Sequence, residues 1–429
     1  MRLRSHSGDA ARRRRTSWLT RSAFLVGLLA ISYHHLAATQ PHVRSATGLG
    51  MFGLYRPQAL LLEPQTDTTV WIEHEAQPHT WHLNARSRLH LRRENGRLVV
   101  RLHGANRLAQ SLSNVTQLAS ALATWTITVD RHRLSRVVRG RLCVRVADEA
   151  IQTVLETDRE SVVARVVASE MSGVTQPEAL KALAVVTRTF IQASRSRHRS
   201  QGYDFCDTTH CFWYQGEDRL NRRDRFASLV QSAVEQTSGV LLQINGACRP
   251  TYFTGSCGGQ TGKPGWVWSS DTSSLDEVYQ SVTCRWCRGS SFERWQRRLR
   301  KAVFLSTVSS LLGVTPSLRA EISTEAVKHG VVRAWRINEG GVEYRLAGET
   351  VRSLLGRQLG WHALPSHVFT LEEQDGWLLL TGRGLGHTVG LCLRGAIAQA
   401  RAGYKHDRIL FYYFPTAQLI EENKSGVTP

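Results

Sequence analysis

The stretch that decides the fold runs from Ser161 to Ser194 and reads SVVARVVASEMSGVTQPEALKALAVVTRTFIQAS. Val163, Val166, Val167 and Glu170 share one helical face, so a carboxylate stands at the end of an apolar stripe. Gly173 breaks this first helix, and Pro177 suits the first turn of a second one reaching about Ser194. In the second helix Ala179, Leu180, Ala182, Leu183, Ala184, Val185, Val186, Phe190 and Ile191 cover most of the circumference, the mark of a helix buried on all sides. Its interior cations, Lys181 and Arg188, lie seven residues apart and project in nearly the same direction. Two cations there need partners or must line a polar cavity; the plain reading is structural salt bridges, the sharper one a substrate cleft.

Upstream, Gly140–Val146 has the pattern of a strand, and residues 45–140 form a β-rich segment. Its β-forming runs are Val70–Ile72, Leu89–Leu91, Leu98–Leu102 and Trp125–Val129, and Asn95-Gly96 between two of them is a hairpin signal. No catalytic cluster occurs in this segment, which reads as a scaffold or binding module. Downstream the spacing predicts a helix near Arg225–Thr237 and a strand near Val240–Ile244. Two glycine-rich stretches (Gly255–Gly259 and Gly382–Gly390) and a helix at Arg394–Ala402 follow, then the aromatic run Phe411–Pro415. Residues 292–365 read as a second small α+β lobe with helices near Phe292–Leu299 and Val351–Leu359. The class is α+β: a mixed helical and sheet domain with a cleft over residues 141–429, preceded by the β-rich segment.

With 429 residues the chain can hold two domains, or one large domain with an added lobe. Its formal charge is +20, of which residues 1–44 supply +7 through eight arginines against one aspartate, leaving +13 for the rest. That balance favours an anionic partner, whether nucleic acid, membrane surface or cell-wall polymer. No RNA-binding signature, zinc-finger spacing or helix-turn-helix pattern is evident, so nucleic acid is set aside. Residues 1–40 read as a signal peptide: the basic block Arg12–Arg15, the apolar run Ala23–Ile31, then the small residues Ala37 and Ala38. An uncleaved membrane anchor is the main rival and a basic arm the plain one; the first two place the chain in the periplasm or cell envelope, secreted or anchored. Six of the eight cysteines fall in close pairs (Cys206/Cys211, Cys248/Cys257, Cys284/Cys287), while Cys143 and Cys392 stand apart. Such pairs read first as disulfides or metal ligands.

Three motifs carry chemistry. A desolvated carboxyl at Glu170 favours its protonated form, as general-acid cleavage of a glycosidic bond requires, against the plain reading of a glutamate at a helix end. Cys206-Asp207-Thr208-Thr209-His210-Cys211 offers three zinc ligands (Cys206, His210 and Cys211) with one position open, or a Cys206–Cys211 disulfide. The glycines around His387 are spaced too tightly for a nucleotide fingerprint; His387 can hydrogen-bond a sugar or orient Glu170, or simply sit on a tight turn. Hydrolytic glycosidases use a second carboxylate, and no obvious partner lies near Glu170 in sequence.

Six blocks, in order over residues 140–420, resemble the stage II sporulation protein D (SpoIID) and amidase-enhancer family: VVASEMSGVTQPEALKALAVVTRTF, GYDFCDTTHCFWYQG, YFTGSCGGQTG, VYQSV, GRGLGHTVGLCLRGAIAQARAGY and ILFYYFPTAQL. The resemblance implies a peptidoglycan lytic transglycosylase that cuts between N-acetylmuramic acid and N-acetylglucosamine and leaves 1,6-anhydro ends. In that chemistry the substrate's own C6 hydroxyl attacks C1, so one glutamate serves as acid and then base. By resemblance the catalytic glutamate is Glu170, the family's helix cations are Lys181 and Arg188, and a cleft tyrosine is Tyr279. No cofactor is required, although the CDTTHC block implies zinc as an option at Cys206, His210 and Cys211. The implied partners are peptidoglycan glycan strands or, for the family's non-catalytic branch, a cell-wall amidase that the protein enhances. The sequence departs from the family pattern at Ser172, Thr388, Cys392-Leu393, Thr283-Cys284-Arg285 and Cys257. With Cys284 and Cys287, Cys257 suggests a disulfide or metal variant.

Overall fold

The computed structural model describes residues 46–104, 107–129, 134–195, 197–220, 224–268 and 273–422, so the expected leader at 1–40 lies outside them. The fold is α+β, as the pattern of the sequence requires. Ten strands come first: β1 (Ala46–Met51), β2 (Ala59–Pro64), β3 (Thr68–His74), β4 (His79–Leu83), β5 (Ser87–Glu94), β6 (Arg97–Gly104), β7 (Arg107–Ser120), β8 (Ala123–Val129), β9 (Leu134–Ala147) and β10 (Ala150–Asp158). With β11 (Phe205–Cys206) they form an eleven-stranded sheet in the order β11-β1-β10-β9-β8-β2-β5-β6-β7-β3-β4. An additional β9–β7 pairing closes β9, β8, β2, β5, β6 and β7 into a ring of hydrogen-bonded neighbours. The β5–β6 hairpin turns on Asn95 and Gly96, both at positive φ (48° and 76°), which is why Asn-Gly is the favoured pair there.

Helix α1 (Arg159–Glu170) follows β10 directly. The Asp158 carboxylate caps it by accepting the Ser161 N–H at 2.8 Å. Helix α2 (Pro177–Ala193) begins at the proline that fits its first turn. It packs against α1, against α3 (Arg225–Gln236) and against the strand Val240–Ile244, which explains its apolar circumference.

Arg188, on α2, is fully buried. Its guanidinium meets the Glu160 carboxylate of α1 through two bonds of 2.8 and 2.7 Å. It also donates to the carbonyls of Val240 (3.1 Å) and Val234 (3.4 Å), tying the strand and the end of α3 to the same point. A buried cation is tolerable only when its donors are matched in this way.

A second hydrophobic core gathers within residues 295–380 around Phe304 and Trp335, whose ring centroids are 4.7 Å apart. Around it lie two three-stranded sheets, α4 (Lys301–Leu312) and α5 (Gly348–Leu359). The helix expected near Phe292–Leu299 is instead a strand, Trp295–Arg300, paired with Trp377–Arg383. Trp295 and Leu299 are its buried residues, and a four-residue spacing fits a helical face and a strand face equally. Tertiary pairing decides: Arg298 and Arg300 lie over the ring of Trp377 on the neighbouring strand, at 4.7 and 4.5 Å.

Arg188→Ala would leave Glu160 with only the longer 3.4 Å contact to Arg159, and would take a buried donor from the Val240 and Val234 carbonyls. Its unfolding free energy, from urea titration, is expected to fall by about 3 kcal/mol or more.

Candidate active site and its surroundings

Glu170 is the last residue of α1, and the apolar face of that helix packs into the main core. The Trp213 backbone N–H donates to its Oε1 at 2.9 Å, the one hydrogen bond to this carboxyl among the described residues. Burial pushes the carboxyl up to about 7, and the Trp213 amide opposes that rise. No charged side chain among the described residues contributes to the shift. A carboxylic acid that still holds its proton near neutrality is what a general acid needs.

Trp213 closes the segment that begins with β11. In this segment the Cys206 sulfur lies 3.6 Å from His210 Nδ1, the Cys211 sulfur 3.7 Å from the same nitrogen, and His198 Nε2 3.3 Å from the Cys211 sulfur. The four ligand atoms lie within 4.8 Å of one another. The sequence offered three of these residues; His198, the fourth, precedes the CDTTHC block. It is brought in by an antiparallel bridge between His198 and Tyr203, against whose ring it stacks at 5.0 Å. Asp207 anchors the segment to the sheet by accepting the Phe52 N–H at 3.0 Å and pairing with Arg136.

The four cluster residues also line a cavity of about 690 Å³. Tyr252, Trp268, Arg197, Arg352 and Arg357 are among its other walls, with His367 and His387. Glu170 is not among the described lining residues. The segment therefore runs from the cavity wall at Cys206–Cys211 to the Glu170 carboxyl at Trp213.

The remaining residues singled out in the sequence are dispersed. Arg188 is an internal ion-pair partner with no surface to offer a substrate, which corrects the cleft reading in favour of the salt bridge. Lys181 donates to Glu178 Oε1 at 2.8 Å, and Glu178 also accepts the backbone N–H of His406. Burial works against ionisation of Glu178, but Lys181 and His406 hold it down at about 2. Tyr279 is buried as well: its hydroxyl donates to the Pro250 carbonyl at 2.7 Å and accepts from the Tyr252 N–H, so it does not face a cleft.

His387 lies in the cavity wall, beside Trp268 at 5.1 Å between ring centroids. Its Nδ1 accepts the Val389 N–H, and its ring makes a further backbone hydrogen bond with Phe253. Burial and the charge of Arg352 push it down to about 3, so it is neutral at physiological pH. The glycines around it let the chain approach its own backbone, with a Cβ on Gly384 falling 2.9 Å from the Ser256 carbonyl.

Fold and site define an α+β protein with a desolvated helix-end glutamate held by a cysteine- and histidine-rich segment. The family model described as SpoIID, stage II sporulation protein, matches residues 147–243, which contain Glu170 and all four cluster residues. The stage II sporulation protein D of Bacillus subtilis is 27% identical over 286 residues, covering 65% of this chain and 78% of the relative. An uncharacterized protein of Brachyspira hyodysenteriae is 26% identical over 291 residues, 66% of this chain and 73% of the relative. The amidase enhancer of Bacillus subtilis is 27% identical over 297 residues, 59% of this chain but 39% of that longer relative. Residues 147–243 thus carry the SpoIID pattern, and the proteins to which the chain is similar over 59 to 66% of its length include ones named stage II sporulation protein D and amidase enhancer.

A carboxyl raised in the folded state adds stability that is complete at low pH and is lost as the pH climbs from 4.5, its ordinary value, through about 7. Glu170→Gln has no such loss. Thermal unfolding across this range should show the variant gaining on the parent chain between about pH 5 and about pH 8.

Proposed function

We propose that the protein is a peptidoglycan lytic transglycosylase in which Glu170 is both acid and base. The observation that carries this reading is the carboxyl of Glu170: half-buried at the helix end, raised by desolvation to about 7 and shifted by no neighbouring charge. In the cleavage, Glu170 gives its proton to the leaving oxygen as the bond from C1 of N-acetylmuramic acid breaks. The C6 hydroxyl of the same sugar then bonds to C1 and returns its proton to Glu170, leaving a 1,6-anhydro end with no water consumed. Trp213, whose amide bonds the acid, is 39% exposed, and an exposed indole is an apolar face of the kind against which a sugar can stack. The substrate places the working protein outside the cytoplasm, consistent with the basic and apolar N-terminal pattern.

Zinc fits the four-residue cluster. Tetrahedral zinc with bonds of about 2.3 Å to sulfur and 2.0 Å to nitrogen sets S and N about 3.5 Å apart, and three of the four S–N separations here are 3.3, 3.6 and 3.7 Å. With His198, Cys206, His210 and Cys211 all engaged, the ion would be closed to water and serve to fix the segment. That weighs against a zinc-dependent hydrolase, which needs an open position.

The cavity favours a second reading: a non-catalytic glycan-binding protein that enhances a cell-wall amidase. Its walls combine aromatic rings with Arg197, Arg352 and Arg357, and Glu170 is not among its described lining residues.

Digestion of isolated glycan strands followed by mass spectrometry separates the two. The first reading expects anhydro-ended fragments from the parent chain, at least 100-fold fewer from a folded Glu170→Gln variant, on the order of general acid–base contributions, and a rate that falls as pH rises through about 7. Equal release by the variant would sink the mechanism; glycan binding and amidase stimulation without any cleavage would establish the second reading. Stripping zinc by chelation should speed hydrogen exchange at the Trp213 amide. It should also raise the pH at which the rate falls, because that amide is the group holding the acid down.

A further inference from the structure

Four cysteines take no part in the site described above, yet they converge. Cys257 lies within the glycine-rich stretch Gly255–Gly259, Cys284 precedes and Cys287 ends a 3-10 turn, and Cys392 heads helix α6 (Leu393–Arg401). All four are buried, and their sulfurs lie within 4.8 Å of one another. The Cys257 and Cys287 sulfurs are 3.7 Å apart. A tetrahedral ion with metal–sulfur bonds of about 2.3 Å holds its sulfurs about 3.8 Å apart, whereas a disulfide needs about 2.05 Å.

The surroundings are those of metal-bound thiolates. The sulfur of Cys392 accepts N–H groups from Cys257 at 3.3 Å and Gly395 at 3.4 Å, at the positive end of α6. The Gly259 backbone hydrogen-bonds Cys287, and the Tyr413 hydroxyl lies 3.2 Å from the sulfur of Cys284. Glycine is required around them: a Cβ on Gly395 would sit 1.9 Å from the Tyr413 oxygen and 3.0 Å from the Cys284 sulfur. Gly258 and Gly259, which carry the chain away from Cys257, have φ of 67° and 100°. The Cys284-x-x-Cys287 spacing is the knuckle that tetrathiolate zinc sites use.

We propose that Cys257, Cys284, Cys287 and Cys392 hold one tetrahedral zinc ion. Such a centre staples three segments that are distant in sequence. It fixes the parallel pairing of Phe253–Thr254 with Leu391–Cys392, and with it the chain that leads from His387. It is separate from the His198–Cys211 cluster and from Glu170.

The test uses the full chain carrying Cys206→Ser and Cys211→Ser, so that the other cluster cannot bind. Elemental analysis and native mass spectrometry should find about one zinc per chain. Alkylation after denaturation should find the four thiols free, and adding Cys284→Ser and Cys287→Ser should remove the ion. Because those substitutions can unfold the chain, cobalt(II) exchanged into the chain that retains all four cysteines supplies a second measurement. An intense sulfur-to-cobalt absorption is expected, shifting when Cys392→His replaces one sulfur with nitrogen. Disulfide-linked Cys257, Cys284, Cys287 or Cys392 peptides with no bound metal would overturn the proposal, and an iron chromophore in the purified protein would overturn the choice of zinc.

Discussion

A single guanidinium without access to water governs how the helices are arranged. Arg188 is accommodated in the core because Glu160 and two backbone carbonyls meet it together. Desolvating such a group costs several kcal/mol, so α1, α2, α3 and the strand Val240–Ile244 must keep their places for it to remain satisfied. Glu160 lies in the first turn of α1 and Glu170 in the last, about 15 Å apart along the axis. The ion pair therefore sets one end of the rod whose other end carries the candidate acid.

That other end is held by a segment pinned to the sheet. Asp204 and Asp207 accept the N–H groups of Gly48 and Phe52, one before and one after the stretch of β1 that pairs with β11. The cysteines and histidines bind the segment to itself, and Trp213 passes the result to Glu170 through one amide. The acid is thus raised by apolar surroundings and moderated by a neutral dipole. Its proton affinity therefore depends on shape more than on salt, since no ion pair is available to be screened.

Features fixed by local periodicity were legible in the sequence. The stripe ending at Glu170, the buried helix after Pro177 and the Asn95-Gly96 turn all depend on spacings of a few residues. What could not be read was pairing across distance. Lys181 and Arg188 were recognisable as cations needing partners, but whether those were carboxylates or a substrate depended on where Glu160 and Glu178 fall in space. His198 carries no signal of its own in the sequence, since it lies outside the cysteine block and joins it only through the bridge to Tyr203. Cys392 looked isolated because its companions are more than a hundred residues away. Tyr279 was placed in a cleft on resemblance alone, and the carbonyl of Pro250 claims its hydroxyl. The strand Trp295–Arg300 cannot be told from a helix by pattern because its two buried residues, four apart, satisfy both periods.

The place of β1 bears on how the chain comes to be folded. This strand lies between β10 and β11, both of which come off the ribosome long after it. The hydrogen bond from Gly48 to Asp204 spans 156 residues. The first strand of the sheet is therefore among the last to be satisfied, and contacts of such long range slow folding. Until β11 emerges, the edge of β1 that faces away from β10 has only water for company. A chain that closes its sheet this late stays open while it is being made, the condition in which a polypeptide can still be threaded.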